Sequence, residues 1–124
     1  MTPIKVILQT GYAQPRFSIK RGDTLPALYA QIVNANGPIN LTDATVTLRF
    51  WPSSCCSLPP ASSVKSGVCT LFSPIRGTVR YDWQTTDTSD AGIYEMEFAV
   101  EYLDGARFTA PNDGTLELVI VDHP

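Results

Sequence analysis

The sequence predicts an all-β protein, an antiparallel β-sandwich of seven to eight strands, and three observations predict it. Apolar and polar residues alternate with a period of two in one segment after another. Glycine, proline, asparagine and aspartate punctuate those segments at short intervals. No stretch sustains the 3.6-residue apolar period of an amphipathic helix. A length of 124 residues suits a single domain. With 44% hydrophobic and only 17% charged residues, the chain can fill a core, but its surface is sparsely charged, as expected where neighbouring chains cover part of it.

The elements follow in order. Ile4, Val6 and Leu8 carry a strand signal, and Gly11 to Pro15 reads as a flexible connector, so residues 1–14 are expected to form an N-terminal arm that pairs with a neighbour, the alternative being the sandwich's own first edge strand. The body is expected to span 15–124. Phe17 and Ile19 alternate with Ser18 and Lys20 until Gly22-Asp23-Thr24 breaks the run. Leu28, Ala30 and Ile32 form the next row, and Asn34 to Pro38 is a turn. Val46, Leu48 and Phe50 alternate with Thr45, Thr47 and Arg49. The stretch 51–66, rich in proline and serine, is expected to be a loop outside the sheets. Val79, Tyr81 and Trp83 form a further row, followed by a long strand from Tyr94 that ends at Asp104-Gly105, a dipeptide suited to a tight hairpin. Arg107 to Thr109 returns, Pro111 to Gly114 turns again, and Leu116, Leu118 and Ile120 make the last strand.

The long strand opens with Asp90-Ala91-Gly92-Ile93-Tyr94. In immunoglobulin-like sandwiches a tyrosine at this point hydrogen-bonds back to the preceding corner, and a cysteine follows two residues later. Here that position is Met96. The sequence therefore predicts an immunoglobulin-like sandwich, with Asp90, Gly92 and Tyr94 as its structural corner and no inter-sheet disulfide.

No catalytic, cofactor-binding or metal-binding set is expected. His123 stands next to the C-terminus, where a general base is poorly positioned. Glu95, Glu97 and Glu101 fit the solvent face of a half-buried strand better than a pair of catalytic carboxylates. Asp87, Asp90, Asp104 and Asp113 all fall in turns, where backbone hydrogen bonding accounts for them. Trp83 and Tyr102 belong to inward rows, while Trp51, at the mouth of the Pro/Ser loop, stands open for a partner or a sugar. Asn40-Leu41-Thr42 fits a glycosylation sequon, which has no meaning without secretion. Cys55, Cys56 and Cys69 match no tetrahedral metal spacing and read as free thiols in a loop or one opportunistic bridge to Cys69. The nine basic residues are scattered, which argues against nucleic acid as a partner. The apolar run Ile4–Leu8 is too short for a signal peptide or a membrane span, so synthesis in the cytoplasm is expected.

Four segments, read together, resemble one family: Phe17-x-Ile19-x₂-Gly22-Asp23-Thr24-x-Pro26; Asn36-Gly37-Pro38-Ile39-Asn40-Leu41-Thr42-x-Ala44-Thr45-Val46-Thr47; Gly77-Thr78-Val79-x-Tyr81; and Asp87-Thr88-x₃-Gly92-Ile93-Tyr94-x-Met96-Glu97-Phe98. With the closing Asp104-Gly105 and Pro111-x₂-Gly114, the chain is similar over residues 15–121 to the N-terminal immunoglobulin-like domain of phage baseplate upper proteins. The resemblance implies a non-enzymatic virion structural protein that docks parts of the tail, baseplate or neck. A capsid decoration (cement) protein and a carbohydrate-binding adhesive module on a host-facing surface are the alternatives. It also implies other virion structural proteins as partners and a symmetric homo-oligomer on the particle, with no membrane partner. Ile4, Val6 and Leu8 on the arm and Trp51 at the loop are the residues expected to make those contacts.

Overall fold

The computed structural model describes residues 4–8, 16–53, 64–112 and 114–122. Among these it contains only strands and one 3₁₀ turn, in keeping with the all-β expectation. In chain order the strands are β1 (Lys5–Leu8), β2 (Arg16–Lys20), β3 (Leu28–Asn34), β4 (Gly37–Pro38), β5 (Ala44–Pro52), β6 (Lys65–Val68), β7 (Thr70–Ser73), β8 (Thr78–Tyr81), β9 (Gly92–Tyr102), β10 (Arg107–Ala110) and β11 (Leu116–Val121). They form two sheets. One runs β1-β3-β8-β7, with β4 folded back on β3; the other runs β2-β11-β9-β5-β6, with β10 also on β9.

The two-residue alternation dictates which face each strand buries. On β5, Ala44, Val46, Leu48 and Phe50 are buried, and on β9 so are Tyr94, Met96, Phe98 and Val100. Leu28, Ala30 and Ile32 of β3 do the same for the other sheet, and all of them join a single hydrophobic cluster. β9 is the centre of the larger sheet because its length lets it serve two partners on one side. β11 pairs along Gly92–Met96 and β10 along Phe98–Glu101, while β5 covers Tyr94–Tyr102 on the other side. The Asp104-Gly105 hairpin and the turn at Pro111 divide the return chain into those two short strands.

Trp83 follows the end of β8 and is 2% exposed. Its ring lies 5.7 Å from Phe17 of β2, 5.7 Å from Phe50 of β5 and 5.0 Å from Tyr81 of β8, so one indole touches strands of both sheets. Such contacts contribute about 0.5–1.5 kcal/mol each beyond the area they bury.

The structure corrects four expectations. Residues 5–8 are not a free arm: β1 pairs antiparallel with β3, and Val6 and Leu8 enter the core. β2 runs parallel to β11, so the body is not wholly antiparallel. The predicted 51–66 loop is shorter at both ends, because β5 continues through Pro52 and β6 begins at Lys65. Cys69 does not lie in a loop but where the chain crosses from one sheet to the other, buried, its amide donating to the Val46 carbonyl at 2.8 Å. Strands β4, β6 and β7 are further elements that the alternation does not announce.

A tight turn joins β7 to β8. Pro74–Arg76 makes one 3₁₀ turn, closed by Gly77 at φ 67°. A Cβ on Gly77 would stand 2.6 Å from the Ile32 carbonyl oxygen and 2.8 Å from that of Ile39. Both the left-handed backbone and the close approach therefore require glycine. Replacing Gly77 with alanine is expected to lower unfolding free energy by more than about 1 kcal/mol, measured by urea titration. A variant as stable as the parent would show that β3 and the Ile39 segment can move apart freely.

Candidate functional site

The corner forms as the sequence suggests. Tyr94 is buried, and its hydroxyl donates to the Asp90 carbonyl at 2.8 Å, while Gly92 begins β9 at φ 152°. Burial, with the Asp90 carboxylate as a lesser cause, raises the Tyr94 phenol above its ordinary value. The bond therefore keeps its proton well into alkaline solution.

Beside the corner lies a buried polar group that the sequence reading treated as turn chemistry alone. The Tyr81 hydroxyl donates to Asp87 Oδ2 at 2.6 Å, and the Gln84 amide donates to the same oxygen at 2.9 Å. Lys65 Nζ reaches the Thr86 carbonyl at 2.7 Å, and Thr88 Oγ1 donates to the Asp23 carbonyl at 2.9 Å. Gly67 of β6 passes directly over Tyr81, where a Cβ would fall 2.5 Å from the phenol oxygen. Burial, and then the hydrogen bond to Asp87, push the Tyr81 phenol up. Tyr81 and Asp87 are both buried, with β6 laid across the Tyr81 ring.

Nearby, Cys69 carries a free thiol, which burial, opposed in part by a hydrogen bond involving the Leu48 backbone, pushes up to about 12. A thiol held neutral in this way is a poor nucleophile and a poor metal ligand. Among the described residues, no group of three or more His, Cys, Asp or Glu could hold a metal ion. Cys55, Cys56, Asp113 and His123 lie outside the described residues.

The expected contact residues are not brought together. Val6 and Leu8 are core, whereas Ile7, between them, faces outward at 51% exposure. Ile4 packs against the core and is tied to Asn112, whose Oδ1 accepts the Ile4 amide at 3.1 Å. Trp51 sits half-buried on the outer face of β5, opposite Glu95 of β9. Asn40 serves its own turn, accepting from the Thr42 amide at 2.9 Å, and its carbonyl receives the Tyr102 hydroxyl at 2.8 Å.

The outer face of β9 carries the three glutamates, each with a partner from an adjoining strand or turn. Arg49 of β5 binds Glu97, Arg107 of β10 faces Glu101 at 3.6 Å, and Thr115 donates to Glu95 at 2.9 Å. Between the two arginine pairs, on the same face, a groove of about 420 Å³ opens around Ala99. Sequence reasoning missed it because it needs β5, β9 and β10 side by side. The one available signal was an alanine among glutamates.

Two outcomes test this arrangement. Tyr94→Phe should cost about 1 kcal/mol of stability by denaturant titration, the net worth of a lost hydrogen bond; no loss would mean that the corner does not depend on it. Because the fold holds the neutral thiol, the Cys69 contribution is complete below its ordinary value of 9.0 and fades as pH rises through about 12. With Cys55→Ser and Cys56→Ser in place, the remaining thiol should ignore Ellman's reagent at about pH 8 until the protein is unfolded. Rapid native reaction would contradict the burial. No protein-family model matches the chain, and no curated protein matches it significantly.

Proposed function

We propose that the protein is a non-enzymatic virion structural protein of a bacteriophage, an immunoglobulin-like docking module of the tail, baseplate or neck. The observation that carries the immunoglobulin-like part is the strand order. β1-β3-β8-β7 follows the A-B-E-D order of such domains, and β11-β9-β5-β6 follows G-F-C-C′, with Tyr94 at the corner that opens strand F. The virion part rests on the ordered resemblance of residues 15–121 to the baseplate upper protein domain. The low surface charge agrees with faces covered by neighbours.

The grip in this reading is the sheet edge and not a free arm. Among the described residues, β1 lies at the edge of its sheet with β3 as its one partner. An edge of this kind can add a strand from another chain through main-chain hydrogen bonds. Copies arranged by particle symmetry would multiply a weak contact of that sort.

The test is mass spectrometry and subunit-resolved cryo-microscopy of gradient-purified particles from cells carrying the gene. The expected result is this chain at a fixed copy number, contacting tail, baseplate or neck proteins. Density on the capsid surface would favour the cement alternative over the tail assignment. Absence from the particles would overturn the virion reading.

A further inference from the structure

We propose that the groove around Ala99 is a binding site for a neutral saccharide. The inference rests on the outer face of β5, β9 and β10 and is independent of the virion reading. The groove has a built-in floor and two hydroxyl walls. Ala99 is flanked in direct cross-strand register by Thr47 of β5 and Thr109 of β10. A methyl group between two threonines leaves a depression where every other outward residue of β9 from Ile93 to Glu101 is larger. Its volume, about 420 Å³, falls in the range of small-molecule sites.

The chemistry at the rim selects the ligand class. Thr45, Thr47 and Thr109 offer hydroxyls that both donate and accept. At one end stands the Arg49–Glu97 pair and at the other Arg107–Glu101. A guanidinium beside a carboxylate presents donors and acceptors side by side, which matches adjacent hydroxyls on a sugar ring. An anion is the weaker candidate, since both arginines already face a carboxylate and an added negative charge would oppose the glutamates. Among the described residues, Arg49 Nε, buried at the same end, meets no acceptor. The Ala99 and threonine methyls suit the C–H face of a pyranose.

The site also has a direction. Thr45, Thr47, Arg49 and Trp51 alternate along the outer face of β5, so Trp51 lies about 13 Å from Thr47 along the strand. That separation fits a glycan of several units starting at Ala99 and ending on the indole, where stacking adds affinity. A single sugar held mainly by hydrogen bonds should bind with Kd on the order of 1–10 mM.

The experiment is a two-dimensional NMR titration of the whole chain. The probes are methyl α-glucoside, methyl β-galactoside, N-acetylglucosamine, maltotetraose and, as the anionic control, inorganic phosphate. The expected result is saturable shifts at Thr47, Ala99 and Thr109 with at least one monosaccharide. If the source is a glycan chain, the tetrasaccharide should bind roughly tenfold tighter and lose that gain in Trp51→Ala. Equal affinity would assign the site to single sugars. Ala99→Leu, which fills the floor, should abolish the shifts; Thr47→Val, near-isosteric, should weaken binding roughly threefold or more with the fold intact. No saturable shift with any sugar at about 50 mM, shifts with phosphate alone, or binding unchanged in folded Ala99→Leu and Thr47→Val would overturn the proposal.

Discussion

The packing of both sheets onto one tryptophan is the constraint on which the rest of the structure depends. Trp83 arrives just after β8 and is enclosed by Phe17, Phe50 and Tyr81, with Tyr94 next to Phe50 at 6.1 Å. These rings come from β2, β5, β8 and β9. They can meet only if the first, middle and last parts of the chain adopt their final registers together. A ring of this size is worth several kcal/mol when buried, against a total stability of about 5–15 kcal/mol for a domain. Among the described residues the indole nitrogen meets no acceptor, so apolar packing decides this position.

The polar network around Asp87 follows from that packing. With Trp83 fixed, the chain must turn at once to reach β9. Asp87 organises the turn by accepting from the Gln84 amide and the Tyr81 hydroxyl, while Tyr94 closes the other side on Asp90. A buried carboxylate is tolerated because its hydrogen bonds replace those lost to water. Gly67 completes the arrangement, since only a residue without a side chain lets β6 cross Tyr81. A motif that looks like surface turn chemistry thus becomes an interior clamp.

The two faces of the larger sheet have separate duties. The inner face is continuous apolar packing, and on the outer face of β9 Glu97 and Glu101 pair with Arg49 and Arg107 while Glu95 accepts a hydrogen bond from Thr115. Surface ion pairs of this kind add little stability, so their arrangement around the small Ala99 is free to serve recognition. The edges divide differently again. β1 leaves Ile7 outward, and β6 and β7 leave Val68 and Phe72 outward at 70% and 58% exposure.

The sequence by itself determined the all-β class, the inward rows of β3, β5, β9 and β11, and the Tyr94 corner. All of these depend on local rules: period-two alternation, glycine and proline turns, and one tyrosine reaching four residues back. It misjudged residues 4–8 because alternation alone does not say whose sheet an edge strand joins; the pairing of β1 with β3 decided that Val6 and Leu8 are core. It missed β6 and β7 because four-residue edge strands, one containing Gly67 and the two separated only by Cys69, carry little alternation, and they exist through pairing with β5 and β8. Only the tertiary structure could bring Thr47, Ala99 and Thr109 into one row, since residues so far apart in the chain become neighbours solely through strand register.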